Sequence, residues 1–315
     1  MLKRKAFKKI IISLSCLGIL LILYLFPNKN ESIKSSINHN NDNNIIYLID
    51  NNKYISRVST ILTSKNKEDK IKEIIEILTI DSNKYIRNGF KKTIPKNTKL
   101  LSISIEDDLV KLNFNENLLD VDIYNEEKMI ESIVYSITSL DNIKYVSIFV
   151  NGSILNVLPN SKKKLPTILD RSIGINKEYN INSINNTTKT TIYYLSKYDD
   201  YYYYVPITKI NNDDISKIEI IIKELTSSKL LNTNLISYIN NNTELLSYNE
   251  TDKSLLLNFN ENILEDINTN NILEEVSYSI NLSIKDNYDV DSVIYYVNDK
   301  IISTFNIKDQ NKKFN

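Results

Sequence analysis

The chain reads the same pattern twice, and this internal repeat limits the folds open to it more than any other feature. Asn97-Thr98-Lys99-Leu100-Leu101 recurs as Asn242-Thr243-Glu244-Leu245-Leu246. Leu112-Asn113-Phe114-Asn115-Glu116-Asn117 recurs letter for letter as Leu257-Asn258-Phe259-Asn260-Glu261-Asn262. Tyr135-Ser136-Ile137 is matched by Tyr278-Ser279-Ile280, and Val150-Asn151-Gly152 by Val297-Asn298-Asp299. The order is kept and each copy is about 110 residues long, the size of one compact domain. A chain of 315 residues with 42% hydrophobic and 25% charged residues can give each copy its own core.

Within each copy the apolar periodicity predicts the same series of elements. Ile45 to Ile49 and Tyr54 to Val58 form a hairpin about Asp50-Asn51-Asn52, matched by Ile192 to Leu195 and Tyr201 to Val205 about Asp199-Asp200. A helix follows, with Ile71, Ile74, Ile75 and Leu78 at i, i+3, i+4, i+7; its counterpart carries Ile218, Ile221, Ile222 and Leu225. Asn66 and Asp213 are placed to cap these helices. Leu101, Ile103 and Ile105 alternate, Glu106-Asp107-Asp108 turns the chain, and Val110, Leu112 and Phe114 alternate in turn, with Leu255, Leu257 and Phe259 opposite them in the second copy. A second helix carries Ile130, Ile133, Val134 and Ile137, matched by Leu273, Val276 and Ile280. A last strand through Val146, Ile148 and Val150 ends at the hairpin signal Asn151-Gly152. Strands with one apolar face and helices with one apolar stripe predict an α+β fold. It is expected as two tandem two-layer α/β sandwiches, strand-helix-strand-strand-helix-strand, each a mixed sheet with both helices on one face.

Ahead of the repeat, Lys3, Arg4, Lys5, Lys8 and Lys9 precede an apolar run from Ile10 to Phe26 that Pro27 stops. Such a run rises roughly 25 Å as a helix, enough to cross a hydrocarbon core, and the flanking charges keep the N-terminus inside. Residues 1–27 are therefore expected as a single-pass membrane anchor with both copies outside the cytoplasmic membrane. Lipidation at Cys16 is the alternative. Residues 28–42 read as a polar stalk, 43–158 as the first domain, 159–189 as a linker carrying Lys162-Lys163-Lys164, 190–304 as the second domain, and 305–315 as a polar tail.

The segments Ile94 to Leu101, Leu112-Asn113-Phe114, Tyr135-Ser136-Ile137 and Val146 to Gly152, taken in that order, resemble the GerM domain family of sporulation and spore germination. The resemblance spans Asn43 to Ser303 and is closer in the first copy, because Ile239-Asn240 and Asp299 replace the Ile-Pro and the glycine in the second. It implies a non-catalytic envelope scaffold of sporulation that supports assembly of the complex linking mother cell and forespore. It also implies kinship with the ring-building folds of secretion systems, other envelope proteins as partners, and no catalytic motif to carry over.

The inventory of reactive side chains agrees with that expectation. The one histidine, His39, lies in the stalk and the one cysteine in the apolar run, so neither nucleophilic catalysis nor a zinc site from these residues is expected. Four glycines leave little from which to build a phosphate loop, and a net charge of +0 predicts no attraction to nucleic acid. No cofactor is expected. Glu106, Asp107, Asp108 and Glu116 read as turn residues before they read as a carboxylate pair for wall-sugar cleavage, and Asn115-Glu116-Asn117 lacks the spacing of a calcium loop. The cluster Tyr201, Tyr202, Tyr203 and Tyr204 is the expected partner-contact surface, on an exposed edge hairpin of the second copy. The competing function is an extracytoplasmic module binding cell wall, such as peptidoglycan, or a small ligand.

Overall fold

The computed structural model describes residues 44–307, apart from 184, 213, 228–232, 267 and 269. The expected anchor, stalk and Cys16, the Asp213 cap and the end of the tail lie outside the described residues. The first copy runs β1 (Asn44–Asp50), β2 (Ile55–Thr60), α1 (Lys67–Leu78), β3 (Phe90–Lys91), β4 (Leu100–Glu106), β5 (Leu109–Phe114), α2 (Glu126–Ile137), β6 (Tyr145–Val150) and β7 (Ser153–Ile154). After β8 (Glu178–Asn180), the second copy runs β9 (Thr188–Tyr198), β10 (Tyr201–Asn211), α3 (Lys217–Leu225), β11 (Leu245–Glu250), β12 (Ser254–Phe259), α4 (Glu274–Asn287), β13 (Ser292–Val297) and β14 (Lys300–Asn306).

Each copy contains one four-stranded mixed sheet, in the order β4-β5-β6-β7 and β11-β12-β13-β14. A helix carries the chain between the parallel neighbours, α2 between β5 and β6 and α4 between β12 and β13, as parallel pairing demands. The alternating positions do what their period requires. Val110, Leu112 and Phe114, like Leu255, Leu257 and Phe259, are fully buried, each contributing about 1.5–3 kcal/mol of burial. Asn151 and Gly152 both take positive φ (47° and 78°) and close the β6–β7 hairpin. Asn298 and Asp299 (47° and 65°) make the same turn without a glycine. Asn66 caps α1 by accepting from Asp69 N at 2.8 Å; α3 is capped by Ser216, in a reciprocal box with Glu219.

The single mixed sheet expected for each copy is not what forms. The leading hairpins leave the four-stranded sheets and join one another in a third sheet, in the order β3-β1-β2-β10-β8, with β9 on the other side of β10. The long helices are consequently buried on more than the apolar stripe. In α2, Ser132 and Ser136 are buried beside Ile133 and Ile137. Ser136 Oγ accepts from Tyr47 N at 2.8 Å, and Ser132 Oγ donates to Tyr47 O at 2.6 Å. The helix thus satisfies the outer edge of β1 where a further strand would otherwise lie. In α4, Ser283 Oγ accepts from Tyr193 N at 2.9 Å and Asn287 brackets Thr191 N and O (3.1 and 2.6 Å), covering β9 in the same way.

These bonds also correct the repeat alignment. Ser136 corresponds to Ser283 rather than to Ser279, one helical turn further along. Serines four residues apart on one helix face make the two registers look alike in sequence. Ser283→Ala should therefore destabilise the protein by about 1–3 kcal/mol, because it orphans a buried backbone N–H. Ser279→Ala should cost clearly less; equal losses in urea unfolding would refute the equivalence.

Candidate functional site: the junction between the copies

The two hairpins meet where β2 and β10 pair antiparallel at Arg57–Tyr204. Beyond that point Ile175 and Asn176 enter between the strands. Asn176 Oδ1 accepts from Ile55 N (2.8 Å), and its Nδ2 donates to Ile55 O and Pro206 O, both at 2.7 Å. Ile175 N donates to Thr208 Oγ1 and Ile175 O accepts from Thr208 N, each at 2.9 Å. β8 then continues parallel to β10. The stretch 159–189, expected to be a linker, is thus woven into the shared sheet. Its Leu169 and Ile175 are buried, a signal visible in the sequence as apolar residues inside a polar run.

Arg171, in the same stretch, lies at the centre of the junction. Its guanidinium makes an ion pair with Asp286 of α4 at 2.7 Å and donates to Thr138 Oγ1 (3.0 Å), Ser139 Oγ (2.9 Å) and Tyr135 O (3.3 Å) at the end of α2. It also sits 4.9 Å from the Tyr135 ring centroid, while the Tyr135 hydroxyl donates to Arg171 O at 3.0 Å. Asp286 accepts a second bond, 2.6 Å, from the Tyr193 hydroxyl, which in turn lies 3.0 Å from that of Tyr47. One arginine therefore ties a helix of each copy and the equivalent tyrosines of both hairpins. Burial opposes its charge, but Asp286 and the tyrosine oxygens more than offset this and raise its pKa above the usual arginine value. Burial, followed by repulsion from Arg171 and Arg57, pushes the neighbouring Lys285 down to about 8.

The four tyrosines expected at an exposed edge lie at this junction, so the first copy covers the edge they were expected to present. Tyr203 and Tyr204 are buried; Tyr201 and Tyr202 are half-buried. The Tyr203 hydroxyl donates to Asp50 Oδ2 at 3.0 Å, and its ring meets Phe90 edge-on at 4.9 Å. Arg87 stacks on Tyr201 at 4.0 Å. Tyr204 stacks on Tyr278 of α4, and Lys197 approaches the Tyr202 ring at 5.1 Å. Gly89, at φ +89°, passes so close to Tyr198 that a Cβ there would lie 2.6 Å from the ring. The acidic residues considered in the sequence are apart from all this. Glu106 is exposed and paired with Lys111 (2.7 Å), Asp107 is a positive-φ turn residue, and Glu116 accepts from Asn151 Nδ2 at 2.6 Å. Among the described residues no cluster of three or more His, Cys, Asp or Glu is placed to hold a metal ion.

Removing one member of a largely buried charge pair strands the other, so Asp286→Asn should lower stability by about 3 kcal/mol. Arg171→Met with Asp286→Leu should lose less than the two single changes together, as read by urea unfolding. Lys285 gives the opposite sign from a lysine that gains a partner. Its folded pKa lies below the unfolded 10.5, so the unfolded chain binds more protons and stability rises with pH between about 8 and 10.5. The stability of the wild type relative to Lys285→Met should accordingly improve by up to about 3 kcal/mol across that window. A difference independent of pH would show that Lys285 is solvated.

Residues 45–156 match the family model described as Germane: sporulation and spore germination. Over 262 residues the chain is 29% identical to the spore germination protein GerM of Bacillus subtilis (strain 168), spanning 81% of this chain and 71% of that protein. The solved tandem GerMN domains of the sporulation protein GerM from Bacillus subtilis superpose with a TM-score of 0.73 at 28% identity. That match covers 82% of this chain and 91% of the other, so the likeness extends over both copies. Residues 45–156 thus carry the match to the Germane model, and the chain as a whole is similar to the tandem GerMN domains of the sporulation protein GerM.

Proposed function

We propose that this chain acts in sporulation as a non-catalytic envelope scaffold, held at the cytoplasmic membrane by its N-terminal segment and supporting assembly of the complex between mother cell and forespore. The observation that carries the reading is the likeness to the tandem domains of a sporulation protein across both copies, in sequence and in fold. The chemistry of the junction is in keeping with it. Arg171, Asp286 and the tyrosines are bonded to one another across the copies, an arrangement that holds two domains in one orientation. The basic cluster and apolar run before Pro27 support the membrane attachment, with lipidation at Cys16 as the other route. Envelope proteins of the sporulation machinery are the proposed partners. Tyr201 and Tyr202, which keep part of their surface outside the junction, are the members of the tyrosine cluster open to them.

A strain lacking the protein should form fewer heat-resistant spores, and a copy supplied in trans should restore the count. An unchanged count with normal germination would overturn the sporulation role. Sedimentation of the purified protein with peptidoglycan would then support the wall-binding alternative.

A further inference from the structure

Below the hairpin junction, a groove of about 390 Å³ runs between the outer face of α2, the stretch 163–166 and the β8 edge of the shared sheet. That volume suits a small molecule. Its inner surface is aliphatic: Ile130 and Ile210 are buried beneath it, and Leu165, Ile173 and Ile181 form the walls. Tyr179, 59% exposed, also lines it. The charges around it are unequal. Two carboxylates face four lysines, and both carboxylates are engaged. Glu131 is bonded to Lys177 and to Asn176 N (3.1 Å), and Glu127 accepts from Lys163 (2.8 Å) and lies 3.2 Å from Lys177. Lys164 and Lys189 have no carboxylate partner among the described residues; Lys189 donates only to the neutral carbonyl of Ser172, at 3.2 Å. An apolar trough with two surplus positive charges matches a ligand that is apolar at one end and doubly negative at the other.

We propose that this groove binds a small organic anion with an apolar, ring-sized body and a phosphate-like head, the head on Lys164 and Lys189 and the body over Ile130 and Ile210. Both copies and the stretch between them line the site, so its occupant holds the junction closed and stabilises the folded chain by mass action. The inference rests on the groove alone and is independent of the role in sporulation.

Phenyl phosphate is the probe, with inorganic phosphate (head alone) and benzyl alcohol (body alone) beside it, titrated by calorimetry against the full chain in lipid nanodiscs. Phenyl phosphate should bind saturably, one per chain, at least tenfold more tightly than either fragment. Lys164→Glu with Lys189→Glu should weaken it at least tenfold. Both side chains are exposed, so the fold should survive, as circular dichroism would verify. Lys162→Glu, in the same lysine run but outside the groove, should leave binding unchanged. Three results would each overturn the proposal: no saturable binding, equal binding to the double variant, or inorganic phosphate binding as tightly as phenyl phosphate.

Discussion

The ion pair between Arg171 and Asp286 is the contact on which the arrangement of the two copies depends. Neither residue would be stable there alone, because a charge removed from water without a partner costs several kcal/mol. The pair forms only when the end of α2, the turn at 171–173 and the end of α4 are all in place, since Thr138, Ser139 and Tyr193 supply the remaining bonds. The buried aliphatic side chains of the two copies run together in one continuous cluster. The guanidinium adds direction to that packing, because its donors lie in a fixed plane.

Around that centre the tyrosines divide the work between area and hydrogen bonding. Tyr47 and Tyr193 occupy equivalent places in the two hairpins and touch through their hydroxyls, while their backbone N–H groups are taken up by Ser136 and Ser283. The hairpins therefore meet as near-copies, and the asymmetry comes from the stretch between them, which contributes Arg171, Ile175 and Asn176 once only. Asn176 uses both side-chain atoms on two strands at once, where a continuous ladder between β2 and β10 would have run.

Much of the local structure is legible in the sequence. Val110, Leu112 and Phe114 announce a half-buried strand by their period, Asn66 marks a helix start, and Asn151-Gly152 marks a hairpin, because each depends on residues within a few positions of itself. What escaped was long-range. Nothing local distinguishes a hairpin that joins its own sheet from one that joins its twin, and serines at 132 and 136 look like a solvated helix face until a strand edge is set against them. The tyrosines at 201–204 read as an exposed edge, and Tyr203 and Tyr204 are instead buried within the chain. Which surface covers that edge depends on Phe90 and Asp50, more than a hundred residues away. The polar composition of 159–189 likewise disguised a segment that buries Leu169 and Ile175 and sends Arg171 and Asn176 into the junction.

The shared sheet has a mechanical consequence. β1 lies in the sheet common to both copies and not in either four-stranded sheet. A pull applied there and resisted by the second copy would pass from β1 through β2 to the seam at Arg57–Tyr204, in parallel with Asn176 and the Arg171 pair. The four-stranded sheets are not hydrogen-bonded into that line. The join between the copies is thus where such tension would be felt first.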